Sequence, residues 1–72
     1  MPIQGIIKII KERREELGVT QEQLADLAEI GLRTLKNIES GKGNPTLQTL
    51  QKIADLLGLE LTLKLKNIST DK

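Results

Sequence analysis

The apolar residues of this chain recur at helical spacing in short runs, and a break follows each run. Ile6, Ile7, Ile10, Arg14 and Leu17 keep that spacing until Gly18 ends it. They fall on one face of a helix predicted over residues 4–17. Thr20 followed by Gln23 is a capping-box pattern. It opens a second helix over 21–28, with Leu24, Leu27 and Ala28 inward and Ala25 small enough for close helix packing. Glu29-Ile30-Gly31 interrupts. A third helix is predicted over 32–40, with Leu35 and Ile38 inward. Gly41-Lys42-Gly43-Asn44-Pro45 is a loop. Asn44 or Thr46 caps a fourth helix over 46–57, with Leu47, Leu50, Ile53, Ala54 and Leu57 at helical spacing and Gly58 at its C′ position.

After Gly58 the period changes from helical to strict alternation. Leu59-Glu60-Leu61-Thr62-Leu63-Lys64-Leu65-Lys66 reads as a strand over 59–66. Residues 67–72 read as a frayed tail. The expected fold class is mainly α: one domain over residues 1–66, with four helices and a C-terminal strand.

Composition narrows the function. A chain of 72 residues forms one domain, and it contains no Phe, Tyr, Trp, Cys or His. The missing Cys excludes disulfides, thiol nucleophiles and thiolate metal sites. The missing His removes the imidazole base and ligand. Without aromatic rings there is no base stacking of the kind used by single-strand and RNA binders. No Ser, Thr, Lys or carboxylate is paired with a plausible base, so an enzyme is not expected, and neither is a cofactor or metal. No apolar run reaches about 18 residues and no secretory pattern opens the chain, so a cytoplasmic location is expected. The core is aliphatic, drawn from 13 Leu, 9 Ile, 3 Ala and 1 Val. A domain of this size buries only about 60% of its unfolded surface, which makes oligomerisation a natural expectation.

The net charge is only +1, but it is unevenly placed. Residues 1–30 hold four cations against six acids, residues 31–52 four against one, and residues 53–72 three against three. The central basic segment is either a chance fluctuation on a solvated face or a surface for an anionic partner. It includes the third helix, which forms with the second a short pair joined by a tight turn. Such a pair can place its second helix in the DNA major groove. A plain helical bundle with a similar turn is the other reading that the pattern permits.

The stretch from Leu17 to Ala25, with its Thr20-Gln21 opening, is followed by Gly31-Leu32-Arg33-Thr34, by Ile38-Glu39-Ser40-Gly41 and by Asn44-Pro45-Thr46-Leu47. Together these motifs resemble the XRE family of helix-turn-helix proteins, the Cro and phage-repressor type, over about residues 6–58. The resemblance implies a lambda-repressor-like, four-helix domain that binds double-stranded DNA as a repressor. Within the family, Gly31-Leu32-Arg33-Thr34, the loop running into Pro45-Thr46-Leu47 and the alternating leucines are similar to HipB-type antitoxins. That similarity implies autoregulation of a toxin–antitoxin operon and a HipA-type kinase partner. A general phage- or plasmid-type repressor and a protein-interaction module without useful DNA affinity are the alternatives. The family usually has glycine where this chain has Glu29. That position often takes positive φ, at a cost of roughly 1 kcal/mol to other residues.

The resemblance assigns roles residue by residue. Leu32, Arg33, Lys36 and Asn37, on the outer face of the third helix, are expected to read bases. Arginine can pair with guanine O6 and N7, and leucine can touch a thymine methyl. Gln21, Thr34, Ser40, Lys42 and Asn44 are expected on phosphates, with backbone N–H groups near Gly41 and Gly43 assisting. Arg14 and Glu39 match a family salt bridge that orients the third helix. Lys8, Lys11 and Arg13 read as solvated. Leu59, Leu61, Leu63 and Leu65 share one strand face, and an unpaired strand invites another chain. Antiparallel pairing about a two-fold axis would make a homodimer reading a palindrome. A fifth helix, or pairing with residues 1–5, are the other readings of that segment.

Overall fold

The computed structural model describes residues 3–62. Four helices follow one another: α1 (Ile3–Glu16), α2 (Gln21–Ala28), α3 (Leu32–Glu39) and α4 (Leu47–Leu56). Each boundary lies within a residue of its expectation. The Thr20 capping box is formed at the start of α2. The Thr20 hydroxyl accepts from the Gln23 N–H at 3.0 Å, and Gln23 Oε1 accepts from the Thr20 N–H at 2.9 Å. Thr46, not Asn44, caps α4, its hydroxyl oxygen accepting from the Thr49 N–H at 3.1 Å. Gly31 precedes α3 and offers no side-chain cap.

All four helices close in the same way. The residue after the last turn adopts the left-handed conformation, and two N–H groups fold back onto carbonyls that the helix leaves unpaired. Gly18 and Val19 donate to Glu15 and Arg14, Glu29 and Ile30 to Asp26 and Ala25, Gly41 and Lys42 to Ile38 and Asn37, Gly58 and Leu59 to Asp55 and Ala54. The left-handed residues are Gly18, Gly41, Gly58 and Glu29, the last at φ 58°. Glu29 is the only one of the four with a side chain to accommodate.

Helix α2 packs on α3 and α4, and α1 packs on α3. The shared core contains Ile7, Ile10, Leu24, Ala25, Ala28, Leu35, Ile38, Leu50, Ile53 and Leu57, all buried. Leu17, Leu27 and Leu47 depart from expectation and stand 47%, 62% and 56% exposed. Leu24, Ala25 and Ala28 centre the buried arc of α2, and Leu27 lies about 100° off that arc at 3.6 residues per turn. Leu17 and Leu47 sit at helix ends, where the core no longer reaches. Arg13 departs too. It is half-buried rather than solvated, and its Nε donates to the Leu57 carbonyl at 2.9 Å.

Beyond Gly58, Leu59 and Leu61 are partly buried against the core. There is no strand among the described residues, and 59–62 carry no regular secondary structure. The remainder of the expected strand, with Leu63 and Leu65, and the tail at 67–72 lie outside the described residues. No described helix is long and apolar enough to cross a membrane.

Candidate nucleic-acid interface

Helix α3 separates its residues cleanly by face. Leu35, Ile38 and Glu39 are buried. Arg33, Thr34, Lys36 and Asn37 are exposed, and Leu32 is half-buried at the helix start. The four residues expected to read bases therefore share the side of α3 that the core leaves uncovered.

Glu39 is the only acid between residues 31 and 52, and the fold withdraws it from the surface. Its carboxylate takes a two-pronged grip from Arg14, with Nε on Oε2 at 2.8 Å and Nη2 on Oε1 at 3.0 Å. The Gln21 amide adds a third bond to Oε1 at 3.0 Å. The remaining Arg14 nitrogen donates to the Val19 carbonyl at 2.8 Å. Hydrogen bonding to Glu39 is the main reason that the Arg14 pKa is raised; burial opposes the shift, and the charges of Glu39 and Glu15 reinforce it. The expected Arg14–Glu39 pair is thus present, buried and bidentate. It locks the last residue of α3 to α1 and to the start of α2. Once Glu39 is neutralised inside, the charges that segment 31–52 shows to solvent are all positive: Arg33, Lys36, Lys42 and Lys52.

Gln21 is half-buried at the first position of α2. One of its amide N–H groups is committed to Glu39; the amide carries a second, and the backbone N–H at a helix start lies outside the helical ladder. Thr20, Gln21, Glu22, Leu32 and Lys36 line one shallow cleft between α2 and α3. The structure thus brings Gln21, expected on phosphate, beside Leu32 and Lys36, expected on bases.

The loop after α3 differs from expectation. The Gly41 N–H donates to Ile38, and the Lys42 and Gly43 N–H groups donate to the Asn37 carbonyl at 3.0 and 3.1 Å. The Ser40 hydroxyl donates to the same carbonyl at 2.9 Å. These donors close the helix and are not directed at a ligand. A Cβ on Gly43 would lie 3.4 Å from the Ile38 nitrogen, so glycine is what lets the loop fold this tightly against α3. The side chains of Lys42 and Asn44 remain exposed. Two roles escaped the sequence reading: Gln21 as a clamp on Glu39, and Arg13 as a clamp on α4. The Ser40-Gly41 pair at a helix end did signal the closure.

A sequence model of the helix-turn-helix family matches residues 10–64. Over 56 residues the chain is 45% identical to the cryptic phage CTXphi transcriptional repressor RstR of Vibrio cholerae, covering 72% of this chain and 50% of that protein. It is 40% identical over 53 residues to the immunity repressor protein of Bacillus phage phi105, covering 74% of this chain and 37% of the repressor. It is 33% identical over 64 residues to the uncharacterized HTH-type transcriptional regulator YqaF of Bacillus subtilis, covering 89% of this chain and 84% of YqaF. The chain therefore spans half or less of the two named repressors and most of YqaF. Relatives of this kind are transcriptional regulators, not enzymes. With the family match running from the middle of α1 past the end of α4, the chain belongs to the XRE family of helix-turn-helix proteins.

Proposed function

We propose that this chain is a cytoplasmic, sequence-specific transcriptional repressor that binds a palindromic operator as a homodimer. The observation that carries the reading is the outward face of α3. It offers Arg33, Lys36 and Asn37 to solvent, while Glu39, the one acid of segment 31–52, is buried against Arg14. In this reading Arg33 pairs with a guanine edge, Lys36 and Asn37 contact neighbouring bases, and Leu32 meets a thymine methyl. Gln21, Thr34, Lys42 and Asn44 hold phosphates on either side. Ser40 contributes by tying the loop to α3, because its hydroxyl proton already goes to the Asn37 carbonyl. The Arg14–Glu39–Gln21 cluster couples the phosphate-binding start of α2 to the base-reading helix.

The dimer places two copies of α3 about 34 Å apart, one turn of DNA. The pairing element is the segment that begins at Leu59 and contains Leu61, Leu63 and Leu65. The partial burial of Leu59 and Leu61 on the core supports it. If each protomer neutralises about four phosphates, log K falls with log[salt] at a slope near −7.

Selection of bound duplexes from a random library, followed by titration at several salt concentrations, tests the proposal. An enriched inverted repeat is expected. Equal retention of all sequences would leave only a protein-interaction module.

The motifs at Gly31–Thr34 and Gly41–Leu47 support a narrower role, that of a HipB-type antitoxin repressing its own operon and binding a HipA-type kinase. The names of the Vibrio and phi105 relatives favour instead a phage-type repressor with no kinase partner. Co-purification with a kinase encoded by the adjacent reading frame supports the first; a neighbourhood without one supports the second.

A further inference from the structure

Arg13 and Arg14 are consecutive on α1 and serve different elements. Consecutive helical residues point about 100° apart, so one turn can hold two neighbours. Arg14 grips Glu39 at the end of α3. Arg13 reaches 44 residues along the chain to the Leu57 carbonyl. The end of the recognition helix and the exit from α4 are thus held by the same turn of α1.

The Leu57 bond has a clear physical reason. Leu57 is buried and ends α4, where carbonyls lack helical partners and carry partial negative charge. The Arg13 guanidinium supplies both the donor and the opposite charge, and Glu16 Oε1 steadies it at 3.2 Å. It also lies along the turn that follows, for a Cβ on Gly58 would be 3.4 Å from Arg13 Nη2. The next residue is pinned as well, by the Leu59 N–H on the Ala54 carbonyl at 2.8 Å.

We propose that Arg13 is a positioning residue for operator reading. It fixes the direction in which the chain leaves α4, and thereby the separation of the two recognition helices in the dimer. The inference rests on the dimeric reading above. Two helices joined through their C-terminal segments match one spacing of half-sites only if each segment leaves its protomer at a set angle. One base pair changes the separation by about 3.4 Å and the rotation by about 35°.

The test uses the full chain and the duplex obtained by selection, with one base pair inserted or removed at its centre. Wild type is expected to prefer the parent spacing by about tenfold or more. Arg13→Met keeps an apolar stem and removes the donor. It should retain its helical circular dichroism while its preference falls to about threefold or less. Any uniform loss from the missing charge cancels in that ratio. Arg13→Lys, which restores a charged donor, should recover most of the preference. If Arg13→Met is not folded, Arg13→Leu, which likewise has no donor for the Leu57 carbonyl, gives the same readout. A folded variant with undiminished preference overturns the proposal alone. A wild type indifferent to spacing overturns the dimeric reading, and the proposal with it.

Discussion

Replacing Glu29 with glycine should stabilise the protein. Glu29 closes α2 at φ 58° and ψ 42°. A left-handed backbone costs a residue with a Cβ about 1–2 kcal/mol. Glycine removes that cost, but its freer unfolded chain returns about 0.4–1 kcal/mol of it. Glu29 is exposed, and among the described residues its side chain enters no hydrogen bond or ion pair, so little is lost with it. Its negative charge at a helix C-terminus is itself unfavourable by about 0.3 kcal/mol or more. The net expectation is a gain of about 1 kcal/mol, or about 4–8 °C in Tm for a domain of this size. Thermal melts at 222 nm, at one fixed protein concentration, read it directly; concentration matters because association shifts Tm. Glu29→Ala keeps the backbone cost and removes only the charge, so it should stay within about 0.5 kcal/mol of the parent. A Glu29→Gly melt at or below the parent value would refute the reasoning, and would mean that the side chain has a stabilising partner.

Four further outcomes follow. Arg14→Met leaves the Glu39 carboxylate buried without its main partner and should destabilise by about 3 kcal/mol or more in urea titration. Because the Arg14 pKa is raised, its stabilisation is complete below the ordinary arginine range and fades only as pH rises through the folded value. Arg14 therefore adds no pH dependence between about pH 6 and 9, which melts across that range will check. Lys42→Ala should weaken binding to all duplexes alike and reduce the salt slope by about 1 per protomer, measured by anisotropy titration. Removing residues 63–72 while keeping Leu59 and Leu61 should give a folded monomer by sedimentation; a dimer would contradict pairing through the leucine row.

Much of the fold is legible because its signals are local. The Thr20–Gln23 box and the glycines after α1 and α4 depend on bonds within a few residues, and they form as read. The Arg14–Glu39 pair is a long-range contact, and the family resemblance supplied it. What the pattern missed is set by neighbours. Leu27 keeps helical spacing with Leu24, yet Ala25 and Ala28 turn the buried arc of α2 away from it. Arg13 sits among solvated charges in sequence, and only the approach of α4 gives it the Leu57 carbonyl. The glycine amides after α3 look like phosphate donors until the helix's own carbonyls claim them.

The central claim is that α3 reads bases through Arg33. It is tested most directly by measuring wild type and Arg33→Ala on the selected operator and on an unrelated duplex at the same salt. A bidentate arginine contact is worth about 1–3 kcal/mol per half-site, so a dimer losing two should bind the operator about 30-fold or more weaker. Binding to the unrelated duplex should fall only slightly, and the specificity ratio should collapse. An unchanged ratio, with both affinities shifted together or not at all, would contradict the account.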